Sequence, residues 1–87
     1  MNYKEIIQKG ATLIDVRSVM EFEEGHIENA INIPVNDIQS RMNEVKNSTT
    51  PIVLCCLSGG RAGVAQALIQ AAGVKEVYNA GGWESLR

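Results

Sequence analysis

Eighty-seven residues, 45% of them hydrophobic, are enough for one small domain (residues 1–87) with a core of its own. Eight basic residues against ten acidic ones leave a net charge of −2, which argues against nucleic acid or an anionic membrane surface as the main partner. Two adjacent cysteines and a single histidine exclude a long-range disulfide staple and a zinc-type ligand set, so no metal or cofactor is expected, and no apolar run is long enough to span a bilayer.

The chain opens Met1-Asn2-Tyr3-Lys4-Glu5 without a signal-peptide pattern. A cytoplasmic location is expected, or a periplasmic one if a signal peptide has been removed. Asn2 and Glu5 form a variant capping box for a short helix that Gly10 closes. Ala11 to Ile14 reads as a buried strand. Ser18 and Glu21 are a standard capping box for a second short helix ending at Gly25. Ala30 to Ile33 is a further strand, stopped by Pro34. Asn36 and Gln39 are expected to cap a third helix with Ile38, Met42 and Val45 on one face. Pro51 precedes the strand Ile52 to Cys55. Val64, Ala65, Leu68 and Ala72 form the expected apolar stripe of a fourth helix, and Gly73 is its cap. Lys75 to Asn79 is a last strand, after which Ala80-Gly81-Gly82-Trp83 turns the chain back. Strands that are continuous apolar runs, alternating with helices, indicate an α/β fold with a parallel sheet covered on both faces. Sites in such sheets lie at the carboxyl ends of the strands, where Cys56, Asp15 and Arg17 fall.

The run Cys55-Cys56-Leu57-Ser58-Gly59-Gly60-Arg61-Ala62 carries the chemistry. A thiol at a strand end, a loop with two glycines and a helix start place backbone N–H groups around a sulfur, beside a fixed cation. Such surroundings favour the thiolate, which is the nucleophilic form. Cys56 is the candidate nucleophile. Leu57, Ser58, Gly59, Gly60 and Arg61 are the candidate substrate-binding residues, with both glycines expected at positive φ and Ser58 offering a hydroxyl. Cys55 is read as a small core residue continuing the strand. Asp15 and Arg17 are read as a buried ion pair or as loop support. His26 is read as a structural hydrogen-bonder, Glu21 as the capping carboxylate, and Trp83 as a packing residue.

These segments resemble the single-domain rhodaneses. Leu13-Ile14-Asp15-Val16-Arg17 is similar to the family's opening strand motif. The stretch from Glu21 to Pro34 is similar to its second signature, Cys56-x-x-Gly59-x-Arg61 to its active-site loop, and Val77 to Gly82 to its closing motif. Asn29 stands where glycine is usual, and Ala62 and Gly63 follow the arginine where serine or threonine is common. The first short strand of longer members has no counterpart. The resemblance implies a three-layer fold, with a four- or five-stranded, mainly parallel sheet between helices. It implies a sulfurtransferase that moves a sulfane sulfur from thiosulfate or a similar small donor to cyanide or a thiol, through a persulfide on Cys56. A monomer is expected. Counted from Cys55, Arg61 also fits the Cys-x5-Arg loop of related phosphatases and arsenate reductases. That register places Ser58, not Gly59, at the family's glycine position. A non-catalytic binding module is the other alternative. A disulfide between the neighbouring cysteines would be strained.

Overall fold

The first two helices start at side-chain caps. A computed structural model describes residues 1–87. Helix α1 (Tyr3–Gln8) begins where the Asn2 side chain accepts the Glu5 N–H at 3.1 Å. Strand β1 (Thr12–Asp15) leads to helix α2 (Val19–Glu24). At its start Ser18 and Glu21 close a full capping box, each side chain accepting the other's backbone N–H. Two N–H groups without helical partners are thereby satisfied. Strand β2 (Ile31–Asn32), helix α3 (Met42–Lys46), strand β3 (Ile52–Cys56), helix α4 (Gly60–Ala71) and strand β4 (Val77–Gly82) follow. Short 3₁₀ turns lie at Val35–Asp37 and Trp83–Leu86. No helix is long and apolar enough to cross a membrane.

The four strands are all parallel, in the order β2-β1-β3-β4. Alternation along the two central strands divides the core into two layers. Ile14, Ile52, Leu54 and Cys56 join Ala62, Ala65 and Ile69 of α4 and Val45 of α3 on one face. Leu13, Val53 and Cys55 join Trp83 and Leu86 on the other, against which Tyr3, Ile6 and Ile7 of α1 pack. The sheet is therefore covered on both sides, and the carboxyl ends of β1 and β3 lie side by side, with Asp15 in register with Cys55.

Three expected elements are corrected. The helix from Asn36 is split. The Arg41 N–H still reaches the Asp37 carbonyl at 3.0 Å, but the Met42 N–H bonds Gln39, three residues back, at 3.4 Å. Arg41 then takes a non-helical conformation (φ −110, ψ 22), and α3 starts only at Met42. The stripe of α4 is rotated. Ala62, Ala65 and Ile69 are buried, and Val64 is exposed. Small residues face the sheet because the helix start approaches the end of β3 closely. The last strand runs on through Gly82, with a register shift between Leu54 and Cys56 on β3.

Candidate active site

Cys56 closes a strand that is buried along its whole length, and the residue is 1% exposed. The chain then turns within three residues into α4. Gly59 makes that turn at φ +100, a left-handed conformation that strains any side chain. In this geometry the Gly59 N–H donates to Cys56 Sγ at 3.0 Å, and the Ala62 N–H donates to it at 3.4 Å. Helix α4 has no side-chain cap from its N-cap residue. The sulfur takes that place, accepting N–H groups that the helix start leaves free. Burial pushes the Cys56 thiol up. The N–H donors of Ala62 and Gly59, with those of Ser58 and Arg61, outweigh burial and bring it below the ordinary cysteine value.

The loop is held from two directions. From β4, Asn79 donates its amide to the Gly59 carbonyl at 2.9 Å and accepts the Gly81 N–H at 2.8 Å. Beside it Gly82 passes so near the loop that a Cβ there would lie 2.7 Å from the Leu57 carbonyl oxygen. From α2, Glu21 binds Arg61 through both oxygens, at 2.6 and 3.0 Å. Glu21 is brought down to about 2, first by the Arg61 guanidinium and then by the Ser18 N–H.

A thiol held in a ring of N–H groups on a Cys-x-x-Gly-x-Arg loop, at the carboxyl edge of a parallel sheet, can be matched with known proteins. Residues 2–87 match the rhodanese-like domain family. The chain belongs to the rhodanese family. It is 42% identical over 69 residues to YqhL of Bacillus subtilis, covering 79% of this chain and 54% of YqhL, about half of that relative. It is 30% identical over 74 residues to the thiosulfate sulfurtransferase PspE of Escherichia coli, covering 84% of this chain and 71% of PspE. A rhodanese structure from Escherichia coli, solved with anions, superposes with a TM-score of 0.75 at 31% identity, covering 85% of this chain and 88% of that one.

Within this rhodanese fold the two cysteines face opposite ways. Cys55 points into the layer of Trp83 and Leu86. Burial, aided by the charge of Asp15, pushes its thiol up to about 12. The longer Cys-x5-Arg register would need Cys55 at the centre of the loop, where its side chain does not point. Both cysteines are free thiols. Leu57 is exposed at 61%, and Ser58 is exposed, supplying its N–H to the sulfur. Gly60 departs from expectation. It is the first residue of α4 without positive φ, and a Cβ there would meet nothing within 4 Å. Arg61 also departs from it, because its guanidinium is paired with Glu21 and the sulfur is stabilised by backbone donors.

Asp15 and Arg17 form a buried ion pair at 2.7 Å. Arg17 also donates to the Gly25 carbonyl at 2.7 Å and lies over the Trp83 ring at 4.5 Å. The pair ties β1 to the end of α2 and to the last turn. Asn32 supports the same strand end by donating to the Asp15 and Arg17 carbonyls, both at 3.0 Å. His26 stacks on Phe22 and meets its carbonyl through Nδ1 at 2.7 Å, a structural place. The sequence reading missed Asn79 and the Arg61–Glu21 pair. A polar residue in a closing strand just before Gly81-Gly82 was the one signal for Asn79. Nothing local in the chain links positions 21 and 61.

Proposed function

We propose that this domain is a sulfurtransferase that carries a sulfane sulfur on Cys56. The observation that carries this reading is the position of Cys56 Sγ at the focus of the Gly59 and Ala62 N–H groups. A free thiol titrates near about 8.5, so a site that acts at neutral pH needs its thiolate favoured. The cradle does this with fixed dipoles that need no reorganisation during reaction. Relatives include a thiosulfate sulfurtransferase, which supports the same chemistry.

The Cys56 thiolate attacks the outer sulfur of thiosulfate. A new S–S bond forms, the old one breaks, and sulfite leaves with the electron pair. Three negative charges enter and three remain, one on the persulfide and two on sulfite. The N–H groups that held the thiolate then hold the persulfide anion. Cyanide or a thiolate attacks the terminal sulfur in the second step, and Cys56 leaves as thiolate again. Dividing the transfer in two is nucleophilic covalent catalysis.

Intact-protein mass after exposure to thiosulfate, with and without reductant, tests the reading. The wild type gains one sulfur atom, and reductant removes it. Cys56→Ser gains none and makes no thiocyanate, because a hydroxyl cannot carry sulfane sulfur. Cys55→Ala keeps both activities, with a packing loss on the order of 1 kcal/mol. Sulfur transfer retained in Cys56→Ser and lost in Cys55→Ala would overturn the assignment.

A further inference from the structure

The side-chain cation of the active-site loop is already engaged. Arg61 donates from both terminal nitrogens to the two oxygens of Glu21, at 2.6 and 3.0 Å. The carboxylate is fixed from its other side as well, because its Oε1 accepts the Ser18 N–H and hydroxyl, each at 3.0 Å. Glu21 therefore does not swing free of Arg61 without breaking the cap of α2. The pair carries no net charge, and its field falls off faster than that of a lone guanidinium. The bonds reaching Cys56 Sγ come from backbone N–H groups. Arg61 nevertheless belongs to the same loop, one residue before Ala62, whose N–H donates to Cys56 Sγ.

We propose that Glu21 is a specificity-determining residue that sets the charge of the sulfur donors Cys56 prefers. With Arg61 neutralised, the site is built for neutral or singly charged sulfane donors, the persulfides R–S–SH, over the thiosulfate dianion. This rests on the persulfide chemistry proposed above. In such a transfer the Cys56 thiolate attacks the terminal sulfur of R–S–SH. The S–S bond breaks, R–S⁻ leaves with the electron pair, and the proton stays on the new Cys56 persulfide. One negative charge enters and one leaves. No free cation is needed, because no dianion departs. A lone Arg61 would instead favour the doubly charged donor.

Glu21→Gln separates the two jobs of the residue. Glutamine serves at this position of a capping box, so the α2 cap is kept while the charge is removed. Two ratios are measured at low ionic strength in the wild type, Glu21→Gln, Arg61→Gln and the double variant. One is kcat/KM for thiosulfate over that for the persulfide of 2-mercaptoethanol. The other is the rate of Cys56 alkylation by iodoacetate over that by iodoacetamide, a ratio from which the thiolate fraction cancels. Glu21→Gln is expected to raise both ratios about three- to tenfold, the range for one unit charge near a partly solvated group. The gain should fade in high salt and vanish in the double variant. Arg61→Gln, which leaves Glu21 bare, should lower both ratios below wild type. Ratios unchanged or lowered in folded Glu21→Gln would overturn the proposal. If Glu21→Gln does not fold, ratios unchanged in Arg61→Gln would do the same. If the wild type takes sulfur from neither donor, the sulfur-transfer reading fails, and the alkylation ratio still decides whether Glu21 controls charge at Cys56.

Discussion

At the residue scale, Cys55 and Cys56 differ by one position and lie in opposite layers of the core. Successive strand residues point to opposite faces, and this alone turns one thiol into the cradle and leaves the other inert. The loop glycines divide in a similar way. Gly59→Ala forces a side chain onto φ +100 and costs roughly 1–3 kcal/mol of strain, so it should displace the N–H groups from the sulfur. Gly60→Ala meets open space and should leave both stability and Cys56 reactivity near wild type. The pH dependence of iodoacetamide alkylation checks this, with a raised midpoint expected only for Gly59→Ala. Glu21 gives a second test. Its carboxyl is brought from 4.5 down to about 2 in the folded chain, so the folded state holds its proton less tightly than the unfolded state does. Its contribution is complete above pH 4.5 and is lost as pH falls toward 2. Urea midpoints measured across that window should fall less steeply in Glu21→Gln than in wild type.

At the scale of elements, the loop is positioned by partners distant in the chain. Asn79 on β4 grips the Gly59 carbonyl and the Gly81 N–H together. Asn79→Ala leaves both groups without that partner. It is expected to lower the melting temperature by about 4–8 °C, the shift for a loss near 1 kcal/mol in a domain of this size. It should also slow Cys56 alkylation at neutral pH several-fold, since the donors to the sulfur lose their anchor. Unchanged melting and alkylation would show that the loop holds its own shape. Capping boxes were readable because their partners lie three residues apart, as at Ser18 and Glu21. The break near Arg41 was not. The apolar spacing of Ile38, Met42 and Val45 suits one helix, yet the chain leaves helical geometry at Arg41 (φ −110, ψ 22) and the Met42 N–H bonds Gln39 in place of Ile38. Asn29 was flagged for standing where glycine is usual. The structure gives it φ 70, a conformation that asparagine accepts better than most residues.

For the whole molecule, the Asp15–Arg17 pair joins β1 to the end of α2 and to the last turn. Arg17 meets Asp15, the Gly25 carbonyl and the Trp83 ring, and Arg87 covers the same ring at 4.5 Å. Arg17→Met leaves the Asp15 carboxylate buried without its cation. A loss of about 3–5 kcal/mol is expected, measured by urea unfolding. Asp15→Asn with Arg17→Met should restore part of it, since no uncompensated charge then remains. A loss confined to the double variant would contradict this account.

The sequence by itself determined the class of fold, the alternation of elements and the identity of the loop. Those signals are local: apolar runs with the period of strands, caps three residues apart, glycines beside a cysteine. For Asp15 and Arg17 the sequence left a buried ion pair and loop support both open, and the structure shows the pair. The tertiary structure alone decided where the charge of Arg61 is directed, which residue of β4 holds Gly59, and how α4 is rotated against the sheet. The first two depend on contacts between segments far apart in the chain, Glu21 with Arg61 and Asn79 with Gly59, and the third on the packing of Ala62, Ala65 and Ile69 against the sheet. Bonds of that kind are fixed by how the layers pack, and no local pattern of residue types specifies them.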